Sequence, residues 1–372
     1  MIFRSHRTAE ARYHRSWIVA VLVALSTGMV SCATGSQPIG PGQGAAESGQ
    51  IEETACEVPI DVDSVGTIVV GQSTGSFTEP YVQWGIEQGC FAKYGLTVEN
   101  IAGTSQAARV AGLLGGSIDI VSQVPRILVI AMANGELEPL VVSSHYEITE
   151  ETLEEARNVR EFSGTFLVEQ VLVASPGSGI ETLRDLDGAR VGVINARGAE
   201  VVGLRRLAEE EGFNVETIQF VEIDYAEAYN ALLRGDLDAA SLTSSLALAA
   251  LEEGSTFLGH TASHAYLAGS QFLWITTPNI YSQKSPAVDA FREGLWEVYR
   301  LLEQPKYRDA MVDYLVERYD LDEATRNLVP LPDFTPRQVT LDELQQWVPE
   351  LIEWGDIDRE IVFDSSILLP VP

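Results

Sequence analysis

The sequence predicts an α/β fold of two lobes, in which each lobe is a mainly parallel β-sheet flanked by helices. First, strand and helix patterns alternate over residues 67–143 and again over 190–240, which is typical of parallel sheets covered on both faces. Second, the pattern L-L-x-G-x-x-D occurs twice, ending at Asp119 and at Asp238. The matched order favours two similar lobes, although any α/β chain repeats helix–glycine–strand turns, and 372 residues accommodate two domains.

In each copy of this motif, an apolar helical run ends at a glycine and a strand follows. Gly116 and Gly235 stand where a helix end requires a left-handed backbone, which glycine adopts without steric cost. Asp119 and Asp238 are expected to bond backbone amides at the strand starts rather than a ligand.

The first half of the folded chain reads as alternating strands and helices. Runs of apolar and β-branched residues predict the strands, and apolar residues three or four positions apart predict the helices. An acidic stretch, 147–161, has some helical periodicity and is predicted to be a solvated surface helix or an insertion. The predicted strands are 67–71, 97–101, 118–121 and 140–143, and the predicted helices are 80–89, 107–114 and 123–134.

The second half repeats the pattern from a strand at 190–194, with helices opening near Ala199 and Asp224. Two apolar runs, 170–174 and 271–277, are predicted to cross between the lobes. Three later helices, which contain aromatic residues suited to a core, are expected to buttress the first lobe. These helices are 286–302, 307–318 and 341–354, and the predicted lobes are 66–169 with 276–372 for the first and 170–275 for the second.

The N-terminus reads as a targeting segment. Basic residues precede an apolar run, 17–30, that is shorter than the roughly 20 residues a membrane-spanning helix needs. The run ends Met29-Val30-Ser31-Cys32, which resembles a bacterial lipobox with Met29 in place of the usual leucine. Residues 1–31 are therefore predicted to be a lipoprotein signal peptide, with ordinary secretory cleavage as the alternative. Lipidated Cys32 would anchor the protein at the extracytoplasmic face of the cell membrane, and 32–65 would form a flexible tether.

The remaining cysteines and the net charge limit the partners. Cys56 and Cys90 are predicted to form a disulfide in an oxidising compartment, and two unpaired thiols are the alternative. No Cys/His cluster has metal spacing, so neither a metal nor another cofactor is expected. A net charge of −30 repels nucleic acid, which we exclude as a partner.

Two stretches resemble one family of proteins. Residues 81–98, YVQWGIEQGCFAKYGLTV, are similar to the signature A-x-x-x-G-[FY]-F-x-x-x-G-L-x-V of substrate-binding proteins of ABC importers for nitrate, sulfonates, taurine and thiamine-pyrimidine precursors, the NMT1/THI5-like group. Residues 183–193, LRDLDGARVGV, are similar to that family's L-x-D-L-x-G-K-x-V-x-V. Gly85 departs from the alanine that is frequent in the family, and the acidic stretch 147–161 matches no part of the pattern.

The resemblance implies a type II periplasmic-binding-protein fold with two crossover strands. It also implies a small-molecule ligand between lobes that close by hinge motion, ABC permease and ATPase subunits as partners, and no enzymatic activity. We expect a monomer. A ligand sensor for a membrane partner is an alternative that the sequence does not separate from import. A pyrimidine-precursor synthase fits less well, because the chain lacks the cysteine-rich iron motif of such relatives.

The candidate ligand-binding residues lie mostly in loops at the carboxyl ends of predicted strands, where ligands of open α/β sheets bind. Helix N-termini in these loops favour anions by about 0.3–1 kcal/mol, and an arginine holds a sulfonate or carboxylate in bidentate fashion, so we expect an anionic solute. The aromatic and acidic candidates allow an amine-bearing or ring compound as the alternative. Helix capping, surface ion pairing and, for Tyr81, core packing are the alternative roles. The candidates are Ser73, Thr74, Ser76, Phe77, Tyr81, Thr104, Ser105, Gln106, Gln123, Arg126, Ser144, His145, Asn195, Arg197, Gly198, Asp224, Tyr225 and Thr243, with Tyr146, Glu200 and Ser244 beside them.

Overall fold

The computed structural model describes residues 54–371 except 74, 77, 104, 163–169, 322–325, 327–328, 330 and 335. The described residues belong to one compact unit, Glu52–Pro372. The predicted signal peptide, the lipidation site Cys32 and the first part of the predicted tether lie outside the described residues, as do the candidates Thr74, Phe77 and Thr104.

The described elements follow the predicted alternation of strands and helices. The strands are β1 (Gly66–Gly71), β2 (Leu96–Ile101), β3 (Ile120–Gln123), β4 (Leu140–Ser144), β5 (Glu147–Ile148), β6 (Gln170–Ala174), β7 (Arg190–Val193), β8 (Gln219–Glu222), β9 (Ala239–Thr243), β10 (Thr256–Gly259), β11 (Gly269–Ser270) and β12 (Leu273–Thr276). The helices are α1 (Glu79–Glu87), α2 (Gln106–Gly115), α3 (Pro125–Ala133), α4 (Glu150–Asn158), α5 (Ala199–Glu211), α6 (Tyr225–Leu233), α7 (Ser244–Glu252), α8 (Pro278–Leu302), α9 (Pro305–Arg318), α10 (Leu341–Gln345) and α11 (Trp347–Glu353).

Two five-stranded sheets share one strand order. The first is β2-β1-β3-β12-β4, and the second, read from its β8 edge, is β8-β7-β9-β6-β10. In each sheet the first three strands run parallel and the fourth, β12 or β6, runs antiparallel to both neighbours. The predicted class, α/β with mainly parallel sheets, is therefore confirmed, and the antiparallel strands are the two runs that were predicted to cross between lobes. We call each sheet with its packed helices the first and the second lobe.

The repeated motif performs the same structural role in both sheets. Each motif glycine ends its helix with φ of +74°. The N–H of Val69 donates to Asp119 Oδ2 at 2.8 Å, and the N–H of Arg190 donates to Asp238 Oδ2 at 2.7 Å. The aspartate N–H groups return bonds to the same partners, at 2.8 Å to the Val69 carbonyl and 2.9 Å to the Arg190 carbonyl. Both aspartates therefore join neighbouring parallel strands, as predicted.

The crossing strand β6 shows why these sheets read as nearly continuous apolar runs. Side chains alternate between the faces of a strand, so Leu172 and Ala174 join the core under α5, whereas Val171 and Val173 join the core under α6 and α7. The first sheet likewise separates two cores, one under α1 and α8 and one under α3 and α11. Helices on both faces thus bury the sheet centres and leave the strand ends for the loops.

The C-terminal helices pack on the first lobe, as predicted, but two of them are divided in ways that the sequence did not predict. The predicted helix 286–302 forms the second segment of α8, which ends at Leu302. A first segment, from Pro278, precedes it, and the two are separated by a kink at Lys284, where the backbone leaves helical geometry (φ −130°). The predicted helix 341–354 is two helices that meet at Gln346.

The predicted disulfide joins Cys56 to Cys90, with an S–S distance of 2.06 Å. The Cys56 N–H also donates to the Gln88 carbonyl at 3.0 Å, and the Val65 N–H donates to the Gly95 carbonyl at 2.9 Å. Residues 54–65 of the predicted tether are therefore attached to the first lobe. No helix within the described ranges has both the length and the apolar character needed to cross a bilayer.

Candidate functional site

Two adjoining cavities lie between the lobes. The inner chamber, of about 60 Å³, and the outer vestibule, of about 720 Å³, share the side chains of Gln106, Gln123, Ile127, Ile194 and Asn195. Most of the lining follows the carboxyl ends of strands or opens the next helix, which is where the sequence places its candidates. The other polar residues that line the chamber are Ser73, Ser76, Arg109, Ser122, Gln170, Glu200, Tyr225 and Tyr266, and those that line the vestibule are Ser105, Glu136, Arg197, Glu222, Asp224 and Glu227.

The first lobe contributes the loop after β1 and the start of α2. Ser105 caps α2, because its hydroxyl accepts a hydrogen bond from the Ala108 N–H at 3.3 Å. Ser73 accepts a hydrogen bond from the guanidinium of Arg109, one turn further along the helix. Ser105 therefore both caps α2 and lines the vestibule, so the two roles proposed for it are compatible.

The second lobe contributes the loop between β7 and α5. The Asn195 side-chain amide donates across the cleft to Gln106 Oε1 at 2.8 Å, and its own oxygen accepts from the Arg197 N–H at 2.7 Å. Gly198 caps α5, and a Cβ there would lie only 2.5 Å from a carboxyl oxygen of Glu200. Glycine at this position therefore lets the Glu200 carboxyl fold back over the loop.

Glu200 is a buried acid in the first turn of α5. It is 1% exposed, and neither of its carboxyl oxygens has a hydrogen-bond partner among the described residues. Burial raises the pKa of Glu200 to about 7, against the opposing influence of nearby backbone N–H groups and of Arg126. The chamber thus contains an acid that titrates near neutral pH.

Arg109 is a second charged residue of the chamber, and it was not among the candidates predicted from the sequence. Burial lowers the pKa of Arg109, while Asp224 from the opposite lobe partly offsets that shift. Burial raises the pKa of Asp224, and Arg109 and Ser73 oppose it. The charges of Arg109 and Asp224 therefore attract each other across the cleft. The signal in the sequence was a single cation within the otherwise apolar helix α2.

Arg126, which was predicted to hold an anion, lies beside the cavities instead of lining them. One guanidinium nitrogen lies 2.5 Å from Asp356 Oδ2, and another donates to the carbonyl of Arg197 in the second lobe. The structure therefore supports the alternative that we gave for Arg126, ion pairing, although the pair is buried rather than on the surface.

A hydrogen-bonded group around Gln170, at the start of β6, was also not predicted from the sequence. Gln170 donates from its amide to the Tyr225 hydroxyl at 3.2 Å and accepts from the Tyr266 hydroxyl. Of these three chamber residues, only Tyr225 was a candidate. A glutamine that opens an apolar crossing strand was the available signal.

The structure does not bring Tyr81, Ser144, His145 or Thr243 to either cavity. His145 is fully buried, burial lowers its pKa to about 3, and its ring shares a 2.5 Å hydrogen bond with the Tyr299 hydroxyl. Tyr81 packs against His145 with ring centroids 5.5 Å apart, which is the core role given as its alternative. Ser144 pairs with the Ser270 hydroxyl at 2.9 Å, and Thr243 is buried at the start of α7.

The chemistry of the cavities is that of recognition by hydrogen bonds and paired charges. Within the part of the chain that the structure describes, no group of three or more His, Cys, Asp and Glu side chains is placed to hold a metal ion. The lining offers amides, hydroxyls, one buried carboxyl and the Arg109–Asp224 contact.

Comparisons with known proteins agree with this architecture. Residues 167–306 match the family model described as NMT1/THI5 like. The alkanesulfonate-binding protein SsuA of Xanthomonas axonopodis pv. citri, bound to MOPS, superposes with a TM-score of 0.58 at 14% identity, covering 83% of this chain and 99% of that one. The nitrate-binding protein NrtA of Synechocystis PCC 6803 gives 0.56 at 13% identity, covering 80% and 83%.

A Candida albicans protein described as having the generic periplasmic binding protein fold gives a TM-score of 0.55 at 15% identity, covering 81% of this chain and 93% of that one. No curated protein sequence matches the chain. At such identities the superpositions establish the fold alone, and the fold is that of the periplasmic binding proteins.

Proposed function

We propose that the protein is an extracytoplasmic solute-binding protein that captures a small organic molecule between its lobes and delivers it, unchanged, to an ABC importer. The observation that carries this proposal is the inner chamber, which residues from both lobes line. A solute that contacts both lobes binds the closed arrangement better than an open one, so binding drives closure.

The comparisons support the same function. Two of the proteins with this fold are named for binding an alkanesulfonate and nitrate, and the family model covers the second lobe together with β12 and the whole of α8. We therefore propose four solute classes for the first test, chosen chiefly for their acidic groups: sulfonates, taurine, nitrate and pyrimidine precursors. The cations that support an anion are Arg109 in the chamber and Arg197 in the vestibule, now that Arg126 is paired with Asp356.

The membrane attachment and the partners belong to the same proposal. Lipidated Cys32 would hold a monomer on the outer face of the membrane, within reach of the permease and ATPase subunits. Delivery requires only that the lobes open again, so no chemical turnover of the solute is expected.

A thermal-shift screen of those four classes tests the proposal. A bound solute at a hundred times its Kd stabilises the fold by about 2.7 kcal/mol, which is readily measured as a rise in Tm. The matched variants are Asn195→Ala, which removes the bond to Gln106, and Asn230→Ala, whose side chain bonds only the Ala226 carbonyl of its own helix.

We expect the first variant to weaken binding of the stabilising solute several-fold and the second to leave it unchanged. The absence of any stabilising solute across a broad library, or chemical conversion of the solute by purified protein, would contradict the proposal.

A further inference from the structure

We infer that the solute carries a nitrogen-bearing hydrogen-bond donor, a protonated amine or amidine, and that the Glu200 carboxyl and the Ser76 hydroxyl hold this group in the inner chamber. This inference rests on the proposed function and specifies the chemistry of the solute at one end.

The inference begins with two polar side chains that face one chamber from opposite lobes. Ser76, in the loop after β1, is 9% exposed, and Glu200, in the first turn of α5, is 1% exposed. Neither the Ser76 hydroxyl nor either Glu200 oxygen has a hydrogen-bond partner among the described residues. Buried polar atoms without partners are costly, so three of them around one cavity indicate a missing partner.

Several other polar groups of the chamber are already engaged. Arg109 donates to Ser73, Gln106 accepts from Asn195, and the Gln170 amide bonds two tyrosine hydroxyls. The fully buried side-chain atoms of the chamber that have no partner among the described residues belong to an ionisable carboxyl and a hydroxyl. An ionised carboxylate only accepts hydrogen bonds, and a hydroxyl accepts as well, so the complementary group is a donor.

A cationic donor suits the charges that surround the chamber. Glu200 is the acid that lines the chamber and Arg109 is its lining cation, and the charge of Arg109 is offset by Asp224 of the adjoining vestibule. Arg126 lies nearby but is paired with Asp356, outside the chamber. A protonated amine would complete the balance by pairing with Glu200, where exclusion of water strengthens the contact.

The size of the chamber fits a head group rather than a whole organic solute. Its volume of about 60 Å³ is less than a tenth of the vestibule's and has room for a few water-sized groups, which suits an amine or amidine. The five shared residues connect it to the vestibule, whose first-lobe wall is apolar along Val110, Ile127 and Ala131. The remainder of the solute would extend along that wall.

The alternative role for Glu200 is purely structural, since an acid in a first turn complements the helix dipole. An exposed glutamate at the same position would gain that benefit without loss of hydration. The backbone N–H groups of Ile194, Asn195 and Glu200 also favour the ionised carboxyl. The structural role therefore accounts for an acid in the first turn of α5, but it does not explain why neither buried oxygen completes a hydrogen bond with a described residue and why the carboxyl lines a chamber that both lobes share.

The test uses pairs of probes that differ by one amino group. Taurine is compared with ethanesulfonate, and β-alanine with propionate, by isothermal titration calorimetry on the full-length protein. The variants are Glu200→Gln, Ser76→Ala and, as the matched control on the exposed face of the same helix, Glu209→Gln. We expect the amine member of at least one pair to bind about tenfold or more tightly than its partner, as a charged hydrogen bond would provide.

Glu200→Gln should abolish that preference, Ser76→Ala should reduce it, and Glu209→Gln should preserve it. If the amine-free probe of each pair bound as tightly as its amine-bearing partner or more tightly, and Glu200→Gln left its affinity unchanged, this inference would be overturned. The proposed function would still stand. Failure of every solute in the broad screen would overturn both. The comparison within each probe pair uses wild-type protein, so the test does not depend on the folding of a variant.

Discussion

The two lobes repeat one scaffold, but they bury its repeated charges to different depths. In the first lobe the Asp119 side chain is 3% exposed and lies 2.8 Å from the Lys284 amine. In the second lobe the Asp238 side chain is 38% exposed and lies 3.5 Å from Arg190 Nε. Because water screens an exposed ion pair, we expect the motif to contribute more to the free energy of unfolding in the first lobe, where its aspartate is buried. The repeated sequence thus determines the local hydrogen bonds, while the burial of the aspartate determines how much they stabilise each lobe.

The lobes also differ in what covers them. Helices α8 and α11 pack against the first sheet, and the disulfide closes a loop on the same lobe. Residues 170–259, which supply the second sheet, contain no cysteine. We therefore expect the first lobe to be the more resistant to unfolding, and the following variants test this difference.

The largest effect should come from the disulfide. Its partners are 34 residues apart, and a loop of that size stabilises a fold by about 4 kcal/mol in the chain-entropy account. The double variant Cys56→Ser/Cys90→Ser should lower the stability of the first lobe by that order, measured by guanidinium unfolding. The single variant Cys32→Ser is the matched control and should unfold as the wild type does. Two free thiols in unfolded, unreduced wild-type protein would show that the bond does not form.

The next effect is the pH dependence of stability, which should differ in sign between a glutamate of the second lobe and one of the first. The raised pKa of Glu200, about 7, means that the folded protein holds this proton more tightly than the unfolded chain does. Stability should therefore fall by about 3 kcal/mol as the pH rises from about 4.5 to about 7, and Glu200→Gln should remove that fall.

In the first lobe, Glu343 should behave in the opposite sense. Burial opposes ionisation there, but Arg337 and backbone N–H groups lower the Glu343 pKa to about 2. Stability from this group is present above about pH 4.5 and is lost as the pH falls towards 2. In a plot of unfolding free energy against pH, Glu343→Gln should remove only the loss of stability below about pH 4.5. Identical plots for Glu343→Gln and Glu200→Gln would contradict the opposite roles given to the two glutamates.

The scaffold could be predicted from the sequence because its signals are local. These signals depend on neighbours within a few residues or on the repeat itself. They are the alternation of strand and helix patterns, the motif glycines and the aspartates at the strand starts. The same holds for Ser73, Gln106 and Asn195, which follow strand ends directly and do line the cavities.

The remaining site residues depend on contacts that the sequence does not display. Gln170 lines the chamber only because β6 inserts antiparallel beside β9, and Arg109 because α2 turns that face toward the second lobe. His145 also follows a strand end, but it packs among aromatic rings, Trp274 of β12 and Tyr299 of α8 among them. Strand order and helix docking therefore decide which strand ends open into the cleft.

A smaller effect compares the motif aspartates directly. Asp119→Ala leaves the half-buried Val69 N–H without its acceptor and Lys284 without its carboxylate partner, so we expect a loss of about 2–3 kcal/mol. Asp238→Ala exposes the corresponding groups to water and should cost under about 1 kcal/mol. Urea unfolding of the two variants measures the difference. Equal losses would show that burial does not set the contribution of the motif.

The smallest expected effect concerns a contact between the lobes. The Arg206 guanidinium of α5 lies 3.9 Å from the centre of the Trp354 ring, and one of its nitrogens lies 3.9 Å from Glu350, both on the first lobe. A cation–π contact of this kind contributes about 0.5–1 kcal/mol at a partly exposed site. Because the contact joins the two lobes, we expect it to favour the closed arrangement of the proposed function.

Arg206→Ala should therefore lower the affinity for a bound solute by about two- to fivefold, because a smaller closed fraction reduces the apparent affinity in proportion. The neighbouring Arg205 pairs with Glu216 inside the second lobe, so Arg205→Ala is the matched control and should leave the affinity unchanged. Titration of the same solute into both variants decides the matter. Equal affinities would mean that Trp354 and Arg206 only pack together, and that closure is governed by the chamber contacts alone.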